Sequence, residues 1–241
     1  MTGHEYNYDA FNFSLEEGAY PAWLRTAPAL GQLAPDFTLS DLEGHRHRLT
    51  DLRGRPVVIE FGSYTCPIFC AQIPPMRALS TRHPDAAFLV IYTREAHPGE
   101  KTPSHANSAA KELAARRLAA EEHLGRTLLI DDLDGSTHRA YGQAWDSVFV
   151  LDDVGRVVLR RAWNNPQHVD ATLKALAAGE SPTPIESVDM AAFIEHGGTG
   201  HGLLRGGPQA LLDFYRSAPP PARQRLEQSE STEVQRLLND Q

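Results

Sequence analysis

Apolar and polar positions along the chain follow two periods. Short runs that are apolar throughout or at alternate positions occur at residues 57–61, 87–92, 127–130, 148–151 and 156–159, and each predicts a strand. Between them, apolar positions at helical spacing predict helices over residues 66–82, 104–124 and 166–178, with a short one at 136–141. Upstream, residues 31–44 alternate up to a turn, form a hairpin with residues 45–49, and lead through residues 49–56 into the first core strand. Asp152-Asp-Val-Gly155 is a turn that joins the last two strands. Strand–helix–strand alternation followed by a hairpin and a helix predicts an α/β fold, a mixed central sheet flanked by helices. The sheet should have four or five strands with residues 57–61 at its centre, between 87–92 and 148–151. Val57, Ile59, Leu89, Ile91, Phe149 and Leu151 should be buried.

Both ends differ from this pattern. Residues 1–30 are aromatic and without period (Tyr6, Tyr8, Phe11, Phe13, Tyr20, Trp23) and read as an N-terminal arm packed on the domain surface. Gly179-Glu-Ser-Pro-Thr-Pro184 breaks the alternation, so residues 31–179 form the central domain and 180–241 a C-terminal helical extension. The extension holds a Gly-rich stretch, Glu195-His-Gly-Gly-Thr-Gly-His-Gly202, and two predicted helices over residues 208–216 and 221–239. With neither cysteine nor paired carboxylates beside His196 and His201, that stretch reads as a surface loop rather than a metal site.

Charge and hydropathy narrow the function classes. A formal net charge of −8 without a Lys/Arg block argues against binding a phosphate backbone. The first residues lack the basic and apolar regions of a secretory leader, and no apolar run is long enough to span a bilayer. The expectation is a cytoplasmic protein with no nucleic-acid or membrane partner; a homodimer stays open.

The chemistry concentrates in Phe61-Gly-Ser-Tyr-Thr-Cys-Pro-Ile-Phe-Cys70, which holds both cysteines of the 241-residue chain. A strand, a small-residue turn, Thr-Cys-Pro and then a helix set a sulfur at a helix N-terminus, where unpaired amides and the helix dipole favour the thiolate. Two cysteines four residues apart make no disulfide framework, and a local bond between them would close too small a loop to stabilise much. Catalysis or metal binding is the better use for such a pair.

The helix is similar to a thioredoxin-type active-site helix, with Pro74 eight residues after Cys66. Residues 31–179 resemble the iodothyronine deiodinases, a peroxiredoxin-like branch of the thioredoxin superfamily. Three segments carry the resemblance: Phe61-Gly-Ser-Tyr-Thr-Cys-Pro-Ile-Phe69, Phe88-Leu-Val-Ile-Tyr-Thr-Arg-Glu-Ala-His97, and Val148-Phe-Val-Leu151 followed by Trp163-Asn-Asn-Pro166. The resemblance implies a thioredoxin-like fold, with Cys66 where those enzymes carry selenocysteine and Thr65 as its hydrogen-bonding neighbour. It further implies site histidines at His97 and near His105. Asp146 stands before the last hairpin, where thioredoxins usually have a cis-proline and deiodinases an acidic residue. Two histidines and a carboxylate would deliver a proton while the thiolate is held ionised. The remaining histidines, His45, His47, His83, His123, His138 and His168, are expected in solvent.

Three departures shift the expected function. Cysteine is less acidic than selenocysteine, the segment from His97 to His105 is much shorter than its deiodinase equivalent, and Cys70 follows Cys66 by one helical turn on the same face. The expectation is a thiol-dependent oxidoreductase in which Cys66 attacks a peroxide or a disulfide and Cys70 or an external thiol resolves the product. No cofactor or metal is expected, and a thiol partner would supply electrons. The alternative is deiodinase-like dehalogenation of an iodinated aromatic. A second is Cu(I) handling of the Sco type, which shares the fold and a Cys-x3-Cys pair but needs a histidine before the last hairpin; Tyr141-Gly-Gln-Ala-Trp-Asp-Ser147 has none. A binding module with a vestigial site would use the C-terminal helices as its contact surface.

Overall fold

A computed structural model of the chain describes residues 6–14, 19–187 and 199–240. Helix α1 (Ala19–Thr26) precedes a hairpin of β1 (Thr38–Asp41) and β2 (Arg46–Arg48). Then follow β3 (Val57–Gly62), α2 (Pro67–Arg82), β4 (Ala87–Tyr92), α3 (Ser108–Glu121), β5 (Thr127–Ile130) and α4 (Ser136–Ala140). The hairpin of β6 (Val148–Leu151) and β7 (Val157–Arg161) leads to α5 (Pro166–Ala177) and β8 (Ile185–Ser187). Four helices close the chain: α6 (Thr199–Gly206), α7 (Pro208–Ser217), α8 (Pro220–Glu227) and α9 (Thr232–Asn239). Among the described residues no helix is long and apolar enough to cross a membrane.

All the strands join one mixed sheet in the order β2-β1-β5-β4-β3-β6-β7-β8. As expected, β3 is central. It pairs in parallel with β4 (Val57↔Ala87) and antiparallel with β6 (Ile59↔Phe149). Both of its faces are covered, which is why it reads as a continuous apolar run, and all six of its residues are buried. Alternate residues divide between the faces. Val57, Ile59 and Phe61 pack with Trp23, Leu89, Ile91, Phe149 and Leu151, whereas Val58 packs with Met76, Val148, Val150 and Val169. The six residues predicted to be core are buried.

The expected four or five strands are corrected to eight among the described residues. The hairpin β1–β2 joins through β5 (Ser40↔Ile130), and β8 extends the opposite side beside β7 (Leu159↔Ile185). The helix predicted from residue 104 starts at Ser108, because the Asn107 side chain accepts from Ala110 N at 2.9 Å and caps it there. Residues 104–107 therefore stay in a loop, and His105 with them. The helix predicted over 221–239 is two, α8 and α9, the second capped by Ser231. Residues 195–198 of the Gly-rich stretch, His196 included, lie outside the described residues. Residues 199–202 are not loop but the first turn of α6.

Candidate active site

Helix α2 begins where the central strand ends. Cys66 is its N-cap residue, in extended conformation, and Pro67 follows at the first helical position, where a missing N–H costs nothing. A side chain at Gly62 would run into the Phe69 ring, so glycine at the end of β3 lets the first turn of α2 sit on the strand.

The loop after β4 is clamped to the loop before α2. Thr65 donates from its backbone N (2.9 Å) and its Oγ1 (2.6 Å) to Glu95 Oε2, and Thr65 Oγ1 accepts from His97 N at 3.0 Å. Ser63 Oγ accepts from Ala96 N at 3.1 Å, and Tyr92 Oη donates to Glu95 Oε1 while accepting from Tyr64 N. Glu95 is thus the buried hub that fixes Thr65 beside Cys66. Glu95 belongs to the Glu-Ala-His motif, and its signal in the sequence is a lone acid just after a wholly apolar strand. His105 joins from the far side, its Nε2 3.4 Å from Glu95 Oε1.

Burial decides the ionisation of these groups. The Cys66 residue is 2% exposed, and burial first, then the nearby Asp146 carboxyl, push its thiol well above the ordinary range. The Phe69 and Ile68 amides oppose that shift without making a capping hydrogen bond. The expected resting thiolate is therefore corrected to a thiol. Asp146 is also pushed well above the carboxylate range, by burial first and then by the nearby Glu60 against the Asn164 backbone amide. Its Oδ2 accepts from Asn164 N at 3.3 Å, and Oδ1 has no partner. Burial lowers His97 to about 3, and burial with Lys111 lowers His105 to about 4, so both rings are neutral.

The structure links Thr65, the residue before Cys66, to His105 through Glu95 and to the His97 backbone through its own hydroxyl, and brings Asp146 into electrostatic range of Cys66. The His97 ring lies in an aromatic layer that the sequence did not indicate: Phe11 of the arm at 4.3 Å and Phe214 of α7 at 5.5 Å between centroids. Its Nδ1 has no partner. Cys70 packs against the main core and also faces polar groups. Its Sγ points to Tyr64 O at 3.5 Å, Arg205 Nη1 donates to it at 2.8 Å, and burial takes its thiol up to about 12. No local pattern announces Arg205, 135 residues away. His138, expected in solvent, is fully buried, bonded to Tyr6 Oη at 2.9 Å and to Ala144 O at 3.0 Å. Among the described residues, the acidic and histidine groups close enough to share a metal ion are Asp41, Glu43 and His45, on a turn away from the cysteines.

A central β3, a cysteine at the head of the helix that follows it, and an antiparallel β6–β7 hairpin at its side define a thioredoxin-like fold. Solved structures agree. An uncharacterized conserved protein from Geobacillus kaustophilus matches with a TM-score of 0.55 at 18% identity, over 66% of this chain and 87% of that one. A structure described as a candidate thiol:disulfide interchange protein DsbE from Chlorobium tepidum matches with a TM-score of 0.50 at 21% identity, over 63% and 98%. Within that class the chain belongs to the iodothyronine deiodinase family, whose model matches residues 15–167. Thyroxine 5-deiodinase of Sparus aurata is 28% identical over 137 residues, 52% of this chain and 51% of that protein. The Aquarana catesbeiana enzyme of the same name is 32% identical over 142 residues, 54% and 52% respectively. Thiol-disulfide oxidoreductase ResA of Geobacillus thermodenitrificans is 49% identical over 55 residues, 23% of this chain and 32% of that protein. The chain thus spans about half the length of the deiodinases it matches.

Proposed function

We propose that the protein is a thiol-dependent oxidoreductase in which Cys66 is the redox-active nucleophile and a peroxide or disulfide its substrate. The observation that carries this reading is the pair of free thiols one helical turn apart at the head of α2, the first in electrostatic range of the buried Asp146 carboxyl. With a hydroperoxide, the Cys66 sulfur attacks the terminal oxygen and the O–O bond breaks. The leaving alkoxide takes up the proton that the thiol gives up, a transfer Asp146 is placed to relay. Cys66 becomes a sulfenic acid. The Cys70 thiol displaces its hydroxyl as water to give the disulfide, and two equivalents of an external thiol restore both cysteines. The cytoplasm would supply that thiol. Neutral His97 and His105 shape the pocket wall and relay protons rather than store charge.

Family membership and the aromatic layer over His97 favour a second reading, reductive deiodination of an aromatic ring. There the Cys66 sulfur takes iodine from carbon, the ring carbon takes a proton, and Cys70 displaces iodide from the sulfenyl iodide. Copper handling is disfavoured: the group near Cys66 is a hard oxygen donor, Asp146, and Cys70 faces a guanidinium.

Mass spectrometry of Cys66 and Cys70 after one equivalent of hydroperoxide, and separately after an iodinated phenol, tests both readings. A 66–70 disulfide with peroxide and no iodide release supports the first; iodide release supports the second. Cys66→Ser should abolish turnover with either. Residual turnover in that variant would remove Cys66 from its role.

A further inference from the structure

The C-terminal segment, beyond the part of the chain that matches the family, delivers a cation onto the second cysteine. Helix α6 lies against the head of α2: a Cβ at Gly202 would come within 2.5 Å of Pro67 Cα, and one at Gly206 would meet the His97 carbonyl. Lys101 N donates to Gly206 O at 2.9 Å and Thr102 Oγ1 to Arg205 O at 2.8 Å, which pins the last turn of α6. From there the Arg205 side chain, 9% exposed, extends inward. Its Nη1 donates to Cys70 Sγ at 2.8 Å, its Nη2 pairs with Glu122, and its plane lies over the Tyr64 ring at 4.9 Å. A guanidinium has only donors, so the sulfur can only accept from it, and acceptance strengthens as the sulfur becomes anionic.

We propose that Arg205 is the charge partner of Cys70, holding its sulfur in place and stabilising the thiolate that closes the disulfide with oxidised Cys66. The proposal rests on the thiol-cycle reading above. The carboxyl groups facing Cys70 disfavour its ionisation: Glu122 after α3, Glu95 after β4 and Asp146 before β6; the Cys66 thiol and Tyr92 hydroxyl near it are themselves pushed up by a Cys70 charge. Arg205 is the cation that opposes the carboxyls. In the step itself, the Cys70 thiolate attacks the Cys66 sulfenic sulfur, the S–O bond breaks, and the departing hydroxide takes the proton lost by Cys70. The oxidant is the hydroperoxide consumed in the first half of the cycle.

The test follows the full chain after one equivalent of hydrogen peroxide, with dimedone trapping of Cys66 sulfenate at timed quenches. Arg205→Met should slow disulfide closure about ten-fold relative to sulfenate formation in the same sample. Without the cation the thiolate fraction falls, and the greater nucleophilicity of a more basic sulfur offsets only part of that loss. Arg205→Lys should restore most of the loss. Closure at the parent rate in Arg205→Met, or equal slowing in Arg205→Lys, would overturn the proposal. If the methionine variant loses its helical signal, Arg205→Gln takes its place. If the parent forms no 66–70 disulfide, the thiol cycle itself fails. The pairing is then decided in Cys66→Ser by iodoacetamide alkylation of Cys70 across pH: slower alkylation on adding Arg205→Met supports it, and an unchanged rate overturns it.

Discussion

At the scale of single residues, burial disfavours the charged forms of His97 and Asp146, and the two kinds of buried acid–base group leave opposite marks on stability. His97 is lowered to about 3, so below pH 6.5 the unfolded chain takes up a proton that the native ring refuses. Its contribution is complete above pH 6.5 and is lost as pH falls towards 3; by pH 5 the loss amounts to about 2 kcal/mol. His97→Asn should therefore flatten the acid limb of Tm against pH between 6.5 and 4. A parallel-shifted but equally steep limb would show that the ring is protonated in the native state. Asp146 has the reverse sign. Its raised pKa lets the native state keep a proton that the unfolded chain releases above about pH 4, so stability falls as pH rises through that window. Asp146→Asn should narrow the Tm difference between pH 5 and pH 8. It should also slow single-turnover sulfenate formation by about 10²–10⁴, the usual loss when acid–base assistance goes. A variant with the parent's rate would take Asp146 out of the proton path.

At the scale of elements, legibility depended on whether the determining contact was local. Strand β3 was readable because a strand covered on both faces is apolar throughout, and the head of α2 because strand, small turn, Cys-Pro and helix follow one another directly. Strand β8 was not, since Ile185-Glu-Ser187 follows two prolines and is a strand only because β7 offers it an edge. Helix α6 was hidden by its glycines, which look like loop composition but serve close approach. The same distinction explains His138: both ring nitrogens are satisfied by groups that no sequence pattern connects, Tyr6 Oη and Ala144 O. Gly202 provides the test at this scale. With Pro67 Cα 2.5 Å from where its Cβ would lie, Gly202→Ala cannot be absorbed by a flexible side chain; α6 must lift from α2. The expected cost is about 1–3 kcal/mol in urea denaturation, the range for overpacking. Turnover should fall with it, because the element displaced packs on the head of the helix that Cys66 caps and carries Arg205 onto Cys70. An alanine variant as stable and active as the parent would mean that α6 is not seated on the site.

At the scale of the whole molecule, the N-terminal segment and the C-terminal helices meet over the candidate site. The N-terminal segment is fastened by Tyr6, whose ring lies beneath the Arg94 and Arg139 guanidinium groups at 4.9 and 5.2 Å, and by Tyr8, whose hydroxyl donates to Ala96 O at 2.7 Å. The C-terminal helices have a core of their own, Leu203, Leu211, Phe214, Leu226 and Val234, and Phe11 from the other end completes it. Phe11 and Phe214 stack at 5.9 Å between centroids, with His97 against both. Each ring therefore covers the other as well as the histidine, and removing one should weaken what the other contributes. A double-mutant cycle on Phe11→Leu and Phe214→Leu should give a coupling of about 0.5–1.5 kcal/mol, the range for aromatic pairs, read from urea unfolding of the four proteins. Leucine keeps most of the buried volume, so the cycle isolates the ring–ring contact from gross cavity formation. The same variants should raise the iodoacetamide reactivity of Cys66, since loosening the layer admits the water that its thiol needs to ionise. Strict additivity, with Cys66 no more reactive in the double variant than in the parent, would show that the two termini pack independently and that the layer over His97 does not control access to the sulfur.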